Sequence, residues 1–299
     1  MATSPDSSEN KNTYFIDSEG AAEMARLLDQ DVLVTNSMGG LFPERTDSDT
    51  LEGIHDILDV ACGPGGWALN VGLDYPDTEV TGIDISEMMV QYARAHAQVR
   101  RLHNVHFKVM DAMKPLDFPD ASFDLVNSRA LVGLMTPQTW PQLIHEMVRV
   151  CRPGGTIRLT EFEMPMTNSP SFEYISSLIL RAMQKVGRTF SPDGRYFMLT
   201  PMLGSLLRDA GCEAIEKKAY VIDFSSGTEA HDGYAQDLIL GFGLVLPFLL
   251  HVEPITHEGV TKEAFEKTLR EMMGEMLAES FSAFAYGVTV WGRRPGSAA

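Results

Sequence analysis

The chain has 299 residues, of which 44% are hydrophobic and 22% charged, a balance suited to a soluble globular protein able to bury a sizeable core. Lys plus Arg number 24 against 41 Asp plus Glu, a formal net charge of −17, which argues against broad contact with nucleic acid and against docking on an anionic membrane. Three widely spaced cysteines, Cys62, Cys151 and Cys212, form no CxxC pair; neither a disulfide framework nor a cysteine zinc site is expected, and a reducing cytoplasm fits best.

Residues 1–12 are polar and Ser-rich, without the apolar stretch of a signal peptide, and read as a disordered lead-in. Residues 13–50 are assigned to an N-terminal helical cap segment. Residues 51–163 then alternate short apolar runs with amphipathic stretches. A first strand over 54–62 ends in Gly63-Pro64-Gly65-Gly66, and a short helix covers 67–73. A second strand at 79–84 is followed by Ser86, a capping residue for a helix with Met89, Tyr92, Ala93, His96, Val99 and Leu102 in rough register. The third strand, 105–110, stops at Asp111 and the fourth covers 123–126; a helix over 142–150 leads through the turn Pro153-Gly154-Gly155 into a fifth strand, 156–162. Strands alternating with helices imply parallel pairing through right-handed crossovers, hence a doubly wound α/β sheet.

Beyond residue 163 the rhythm changes. Residues 164–200 read as a cap insertion holding an apolar helical stretch at 174–183. Residues 201–224 supply a core helix and a sixth strand, 225–280 a second helical insertion, and 281–299 a seventh strand with a tail. The expectation is a seven-stranded, mostly parallel sheet with helical caps. The apolar run 238–250 is 13 residues long and contains Pro247, too short for a spanning helix, which needs about 20; it reads more readily as packing or a subunit contact than as a pocket wall.

In such a sheet ligands bind beyond the carboxyl ends of the strands. After the first strand come glycines that let backbone approach a ligand, next to a helix start with free N–H donors. After the second comes Asp84, 21 residues beyond Gly63 and suited to ribose hydroxyls. Asp111 follows the third strand and Asn127-Ser128-Arg129 the fourth. Gly63-x-Gly65-x-x-Ala68 also satisfies a dinucleotide fingerprint, so an NAD-dependent oxidoreductase stays open at this point. Against it stand Asp59, four residues before Gly63, whose charge repels a pyrophosphate, and the lack of any Tyr-x-x-x-Lys pair.

Leu58-Asp59-Val60-Ala61-Cys62-Gly63-Pro64-Gly65-Gly66, Gly82-Ile83-Asp84-Ile85-Ser86, Asp111-Ala112 and Arg152-Pro153-Gly154-Gly155 occur in that order. Together they resemble class I S-adenosylmethionine-dependent methyltransferases, of the small-molecule branch that holds ubiquinone/menaquinone C-methylases and natural-product O-methyltransferases. The resemblance covers residues 51–163 and, more loosely, 286–295; Ala61 replaces the family's first loop glycine. It implies S-adenosyl-L-methionine as cofactor. It places Asp59 near the methionine ammonium, Ala61, Gly63 and Gly65 beneath the cofactor, and Asp84 on the ribose. Ile85 then packs on the adenine, Asp111 meets the adenine amino group with Ala112 beside it, and Asn127 reaches the methionine part. Arg129 faces the substrate or the methionine carboxylate.

The expected acceptor is small and lipophilic or aromatic, because the caps are apolar at Leu178, Ile179, Leu180, Phe197 and Met198 and over the run 238–250. A protein or peptide acceptor, and a non-catalytic cofactor-binding role, stay open as alternatives. No base is assigned, although His145, His231 and His251 lie in segments able to face a pocket. Neither a metal nor a nucleic-acid partner is expected, and a homodimer is compatible with the chain.

Overall fold

The computed structural model describes residues 21–45, 51–252 and 260–296; the lead-in expected at 1–12 lies outside the described residues. Helix α1 (Ala21–Met38) precedes the sheet. Then follow β1 (Asp56–Val60), α2 (Gly66–Asp74), β2 (Glu79–Asp84), α3 (Glu87–Val99), β3 (Val105–Val109), β4 (Phe123–Arg129), α4 (Trp140–Val150) and β5 (Cys151–Phe162). The second part comprises β6 (Met166–Thr167), α5 (Pro170–Lys185), α6 (Leu203–Asp209), β7 (Glu213–Asp223), α7 (His231–His251), α8 (Lys262–Met276) and β8 (Ala283–Arg293).

The strands form one sheet in the order β3-β2-β1-β4-β5-β8-β6, with β7 also on β8. Pairings among β1 to β5 are parallel, and β8 runs antiparallel to β5, β6 and β7. The fold is therefore α/β as expected, but the described residues form eight strands rather than seven. The extra one, β6, is two residues long, below any length at which alternation shows in a sequence. The turn expected at Pro153-Gly154-Gly155 is an irregularity inside β5: Cys151 pairs with Phe123, then Thr156 pairs with Leu125. Gly154 sits there at φ +81°.

The central strands are buried on both faces, and their side chains alternate between two cores. Ile57 and Leu125 pack beneath α2 and α3, while Leu58 and Val126 pack under α4 and α6. A third cluster joins α5, α7 and α8 to the strands at the β8 side. The apolar run 238–250 is embedded in the 21-residue α7. Among the described residues α7 is the one helix long and apolar enough to cross a membrane by length and composition; core helices pass the same test.

The chain goes from β1 outward to β3, then returns to the other side of β1 at β4. This reversal is a topological switch point, where the strand ends splay into a crevice. The registers place Asp59 beside Asn127 and Asn127 beside Arg158, so three polar side chains stand in a row on one face of the sheet.

Candidate functional site

A cavity of about 650 Å³ opens over the carboxyl ends of β1 to β5 and continues under the caps. Of the residues expected to bind cofactor, Asp59, Ala61, Gly63, Asp84, Ile85, Asp111 and Ala112 line it, and Arg129 does as well. Gly65 and Asn127 do not. A Cβ on Gly65 would stand 2.7 Å from the Phe107 ring and 2.9 Å from Ala93, so this glycine allows the loop to pack on α3 and β3. Asn127 is fully buried; its Nδ2 donates to Asp59 Oδ1 at 2.7 Å.

The row fixed by strand register is a continuous hydrogen-bond chain. Asn127 Oδ1 accepts from Arg158 Nη1 at 2.8 Å, and Arg158 in turn pairs with Glu44 through Nε at 2.5 Å and Nη2 at 3.1 Å. Arg158 also lies over the Phe42 and Trp67 rings. Burial pushes the Asp59 carboxyl up to about 7, against the opposing effects of Asn127 and Arg158. Glu44 and Arg158 were not identified from sequence, because only the register and the packing of residues 41–45 bring them here.

The glycine loop is held from below by Asp84. Its Oδ2 accepts from the Gly63 N–H and its Oδ1 from the Ser86 N–H, each at 2.9 Å, and burial raises its pKa. Each oxygen keeps a lone pair for a further donor. Gly63 has no atom within 4 Å of the place its Cβ would take, so the loop presents open backbone to the cavity. Ala61 holds the left-handed conformation at φ +56°, unusual for a residue with a Cβ. Asp111 Oδ1 accepts from the Met113 N–H at 2.9 Å, and its Oδ2 faces Lys114 at 3.4 Å.

The other end of the cavity is built by the caps. Arg129 pairs with Asp31 of α1 and donates to Thr35 Oγ1 at 2.8 Å. Burial, with Arg158 nearby, lowers its pKa to about 9, so it stays charged at neutral pH. Glu161 on β5 is fully buried and accepts from the Leu131 and Val132 N–H groups at 2.9 Å each. It thereby anchors the cavity-lining loop after β4, and desolvation raises its pKa to about 8. Glu163 is likewise engaged by the N–H groups of Met198, Leu199 and Thr200. Asp237 of α7 accepts from Arg26 Nη1 at 2.7 Å and Gln30 Nε2 at 2.9 Å, and burial raises its pKa.

Around these groups the wall is apolar and aromatic. Ile179 and Phe197 contribute as anticipated, whereas Leu178 and Leu180 are buried in the cap core and Met198 is exposed. Leu238, Gly241, Phe242 and Val245 also line the cavity, so the 238–250 run is both packing and pocket wall. No histidine lines it among the described residues; His145 and His251 are exposed and the buried His231 ring lies 3.1 Å from the Phe224 carbonyl. Six carboxylates (Asp31, Asp59, Asp84, Asp111, Glu163 and Asp237) face two guanidinium groups, Arg26 and Arg129. That excess favours a cationic ligand and disfavours a pyrophosphate.

Comparison with known proteins agrees with this geometry. Residues 57–155 match a family described as a methyltransferase domain. Demethylmenaquinone methyltransferase of Listeria welshimeri is 29% identical over 191 residues, 60% of this chain and 78% of that protein. The protein of the same name from Geobacillus kaustophilus is 31% identical over 187 residues, 59% of this chain and 77% of its own. Among solved structures, the cyclase SpnF shares the fold at 22% identity and a TM-score of 0.52, covering 94% of this chain and 97% of that one.

Proposed function

The chain belongs to the class I S-adenosylmethionine-dependent methyltransferases, and from that premise we propose that it methylates a small, largely apolar, uncharged acceptor by in-line transfer. The observation that carries the acceptor reading is the continuity of one cavity, from Asp59, Asp84 and Asp111 at the strand ends into the aromatic and aliphatic walls of the caps. We assign residues 164–200 and 225–280 to those caps, and 51–163 to the cofactor core.

The residues present fit the cofactor. Strand order puts Asp111 and Asp84 at one end of the crevice and Asp59 and Arg129 at the other, which suits adenosine toward β3 and the amino acid toward β4. When bound, the cofactor supplies an electrophilic methyl group on a sulfonium. Asp84 is assigned to the ribose hydroxyls, Ile85 and Ala112 to the adenine faces, Asp111 to the adenine amino group, and Ala61 and Gly63 to the backbone floor. Asp59 answers the α-ammonium, and Asn127 keeps that carboxylate in place from behind. The carboxylate excess of the lining weighs against NAD in the same crevice.

The protein's own contribution to the transfer is alignment and exclusion of water. Arg26, the guanidinium of the acceptor half, is already paired with Glu23 and Asp237, which disfavours a phosphate-bearing acceptor. Phe162, Phe197, Phe242 and Tyr286 suit a flat ring, as in the quinol implied by the relatives' name. Asp237, in the acceptor half with its pKa raised by burial, is the carboxylate assigned to receive an acceptor proton. Burial pushes the Tyr234 phenol up to about 12, so at neutral pH it keeps its proton and does not compete for that role.

The test is turnover of S-adenosylmethionine with a panel of acceptors (a naphthoquinol, substituted phenols and phosphoethanolamine), read as S-adenosylhomocysteine release and as a mass gain of one methyl. Methylation of ring acceptors and silence with phosphoethanolamine is expected. Turnover confined to the phosphate-bearing amine overturns the acceptor assignment.

A further inference from the structure

Asp31 rides on α1, yet its carboxylate is packed onto the core. Its Oδ1 pairs with Arg129 at the end of β4, and the side chain is only 10% exposed. A Cβ added to Gly66, the first residue of α2, would lie 2.8 Å from its Oδ2. That Oδ2 is buried and has no hydrogen-bond partner among the described residues. A buried carboxylate oxygen without a donor is costly unless something completes it. Because β1 and β4 are neighbours, Asp31 shares its end of the cavity with Asp59 and Arg129. Two buried acids beside one guanidinium complement a zwitterion, the ammonium between the acids and the carboxylate on the guanidinium.

We propose that Asp31 receives the α-ammonium of the cofactor's amino-acid end, so that cofactor binding pins α1 to the core and completes the acceptor half of the cavity. This rests on the methyltransferase reading above. The consequence for the acceptor follows from the rest of α1. Arg26, Leu27, Gln30 and Val34 line the acceptor half, and Arg26 and Gln30 hold Asp237 in place. An α1 loosened from the core takes that wall with it, whereas one held through Asp31 presents it. The acceptor therefore binds after the cofactor, and the signal for it is the amino-acid end rather than the nucleoside.

Two ligands separate these ends: S-adenosylhomocysteine, which has the amino acid, and 5′-methylthioadenosine, which lacks it. Calorimetric titration of the full chain and its Asp31→Asn variant is the first measurement. The variant is expected to bind S-adenosylhomocysteine about 10- to 100-fold more weakly, the loss of a hydrogen bond to a charged group, and methylthioadenosine within about twofold of the parent. Hydrogen exchange of α1 is the second and needs no variant. In the parent protein S-adenosylhomocysteine slows exchange across residues 21–38 and methylthioadenosine does not. Equal losses for both ligands in Asp31→Asn, unchanged affinity for both, or equal protection of α1 by both ligands overturns the assignment of Asp31 alone. A parent protein that binds neither ligand overturns the cofactor reading, and Asp31 with it.

Discussion

Affinity for the cofactor should follow the ionisation of Asp59. Its carboxyl is held at about 7 in the ligand-free protein by burial, and only the ionised form attracts an ammonium. A group with that pKa is about 9% ionised at pH 6 and about 91% at pH 8, and apparent affinity scales with the competent fraction. S-adenosylhomocysteine should therefore bind about tenfold more weakly at pH 6 than at pH 8. Asp59→Asn keeps an oxygen to accept from Asn127 Nδ2 but cannot ionise, so its affinity should be flat across that range and no better than the parent's low-pH limit. Isothermal titration at pH 6, 7 and 8 in buffers of matched ionisation heat reads both. Stability supplies an independent check. The folded pKa lies above the ordinary carboxylate value of 3.8, so the group's contribution to stability is full below about pH 4 and is lost as pH rises through 7. The ligand-free Asn variant should accordingly gain a few kcal/mol on the parent between pH 4 and pH 8, measured by urea unfolding. A parent whose affinity ignores pH, or a variant that retains the parent's dependence, refutes the electrostatic role given to Asp59.

Asp84→Ala removes the acceptor for the Gly63 and Ser86 N–H groups as well as the ribose contact; titration should show a loss of S-adenosylhomocysteine affinity of about 30-fold or more, and an unchanged constant would sink the ribose assignment. Ala61→Val forces a β-branched side chain into the left-handed conformation now held at φ +56°, so unfolding free energy should fall by about 1–2 kcal/mol, visible in a denaturant midpoint. Glu161→Gln turns an amide toward one of the two N–H groups that the carboxylate accepts; above pH 8, where that group is ionised, stability should drop by about 1–3 kcal/mol, with kcat falling because the loop carrying Leu131 and Val132 loses its anchor, and at pH 6 the two proteins should differ less.

Much of this molecule is written locally. Each βα unit carries its own signals: an apolar run, a glycine or Asx-type stop, and an amphipathic helix, so β1 to β5 and the positions of Gly63, Asp84 and Asp111 were legible without coordinates. Ser86 was readable as a helix cap for the same reason, and its side chain does accept from the Met89 N–H. Elements that depend on little sequence were not legible. The strand β6 has two residues, and the turn at Pro153 to Gly155 is absorbed into β5 because its ends pair with β4.

The residues that complete the site depend on contacts between distant parts of the chain. Asn127 meets Asp59 across 68 residues, Arg158 meets Glu44 across 114, and Arg129 meets Thr35 across 94. No periodicity encodes such pairs, since each is set by strand register or by how a cap helix lies on the sheet. For that reason the hydrogen bond from Asn127 to Asp59 was not legible in the sequence, and Asp31, Glu161 and Asp237 gave no signal in their own surroundings. Local spacing settled which chain segments end at the crevice. The burial of their neighbours, which sets charge state and leaves one carboxylate oxygen without a donor, was decided only once the sheet had closed and the caps had come down on it.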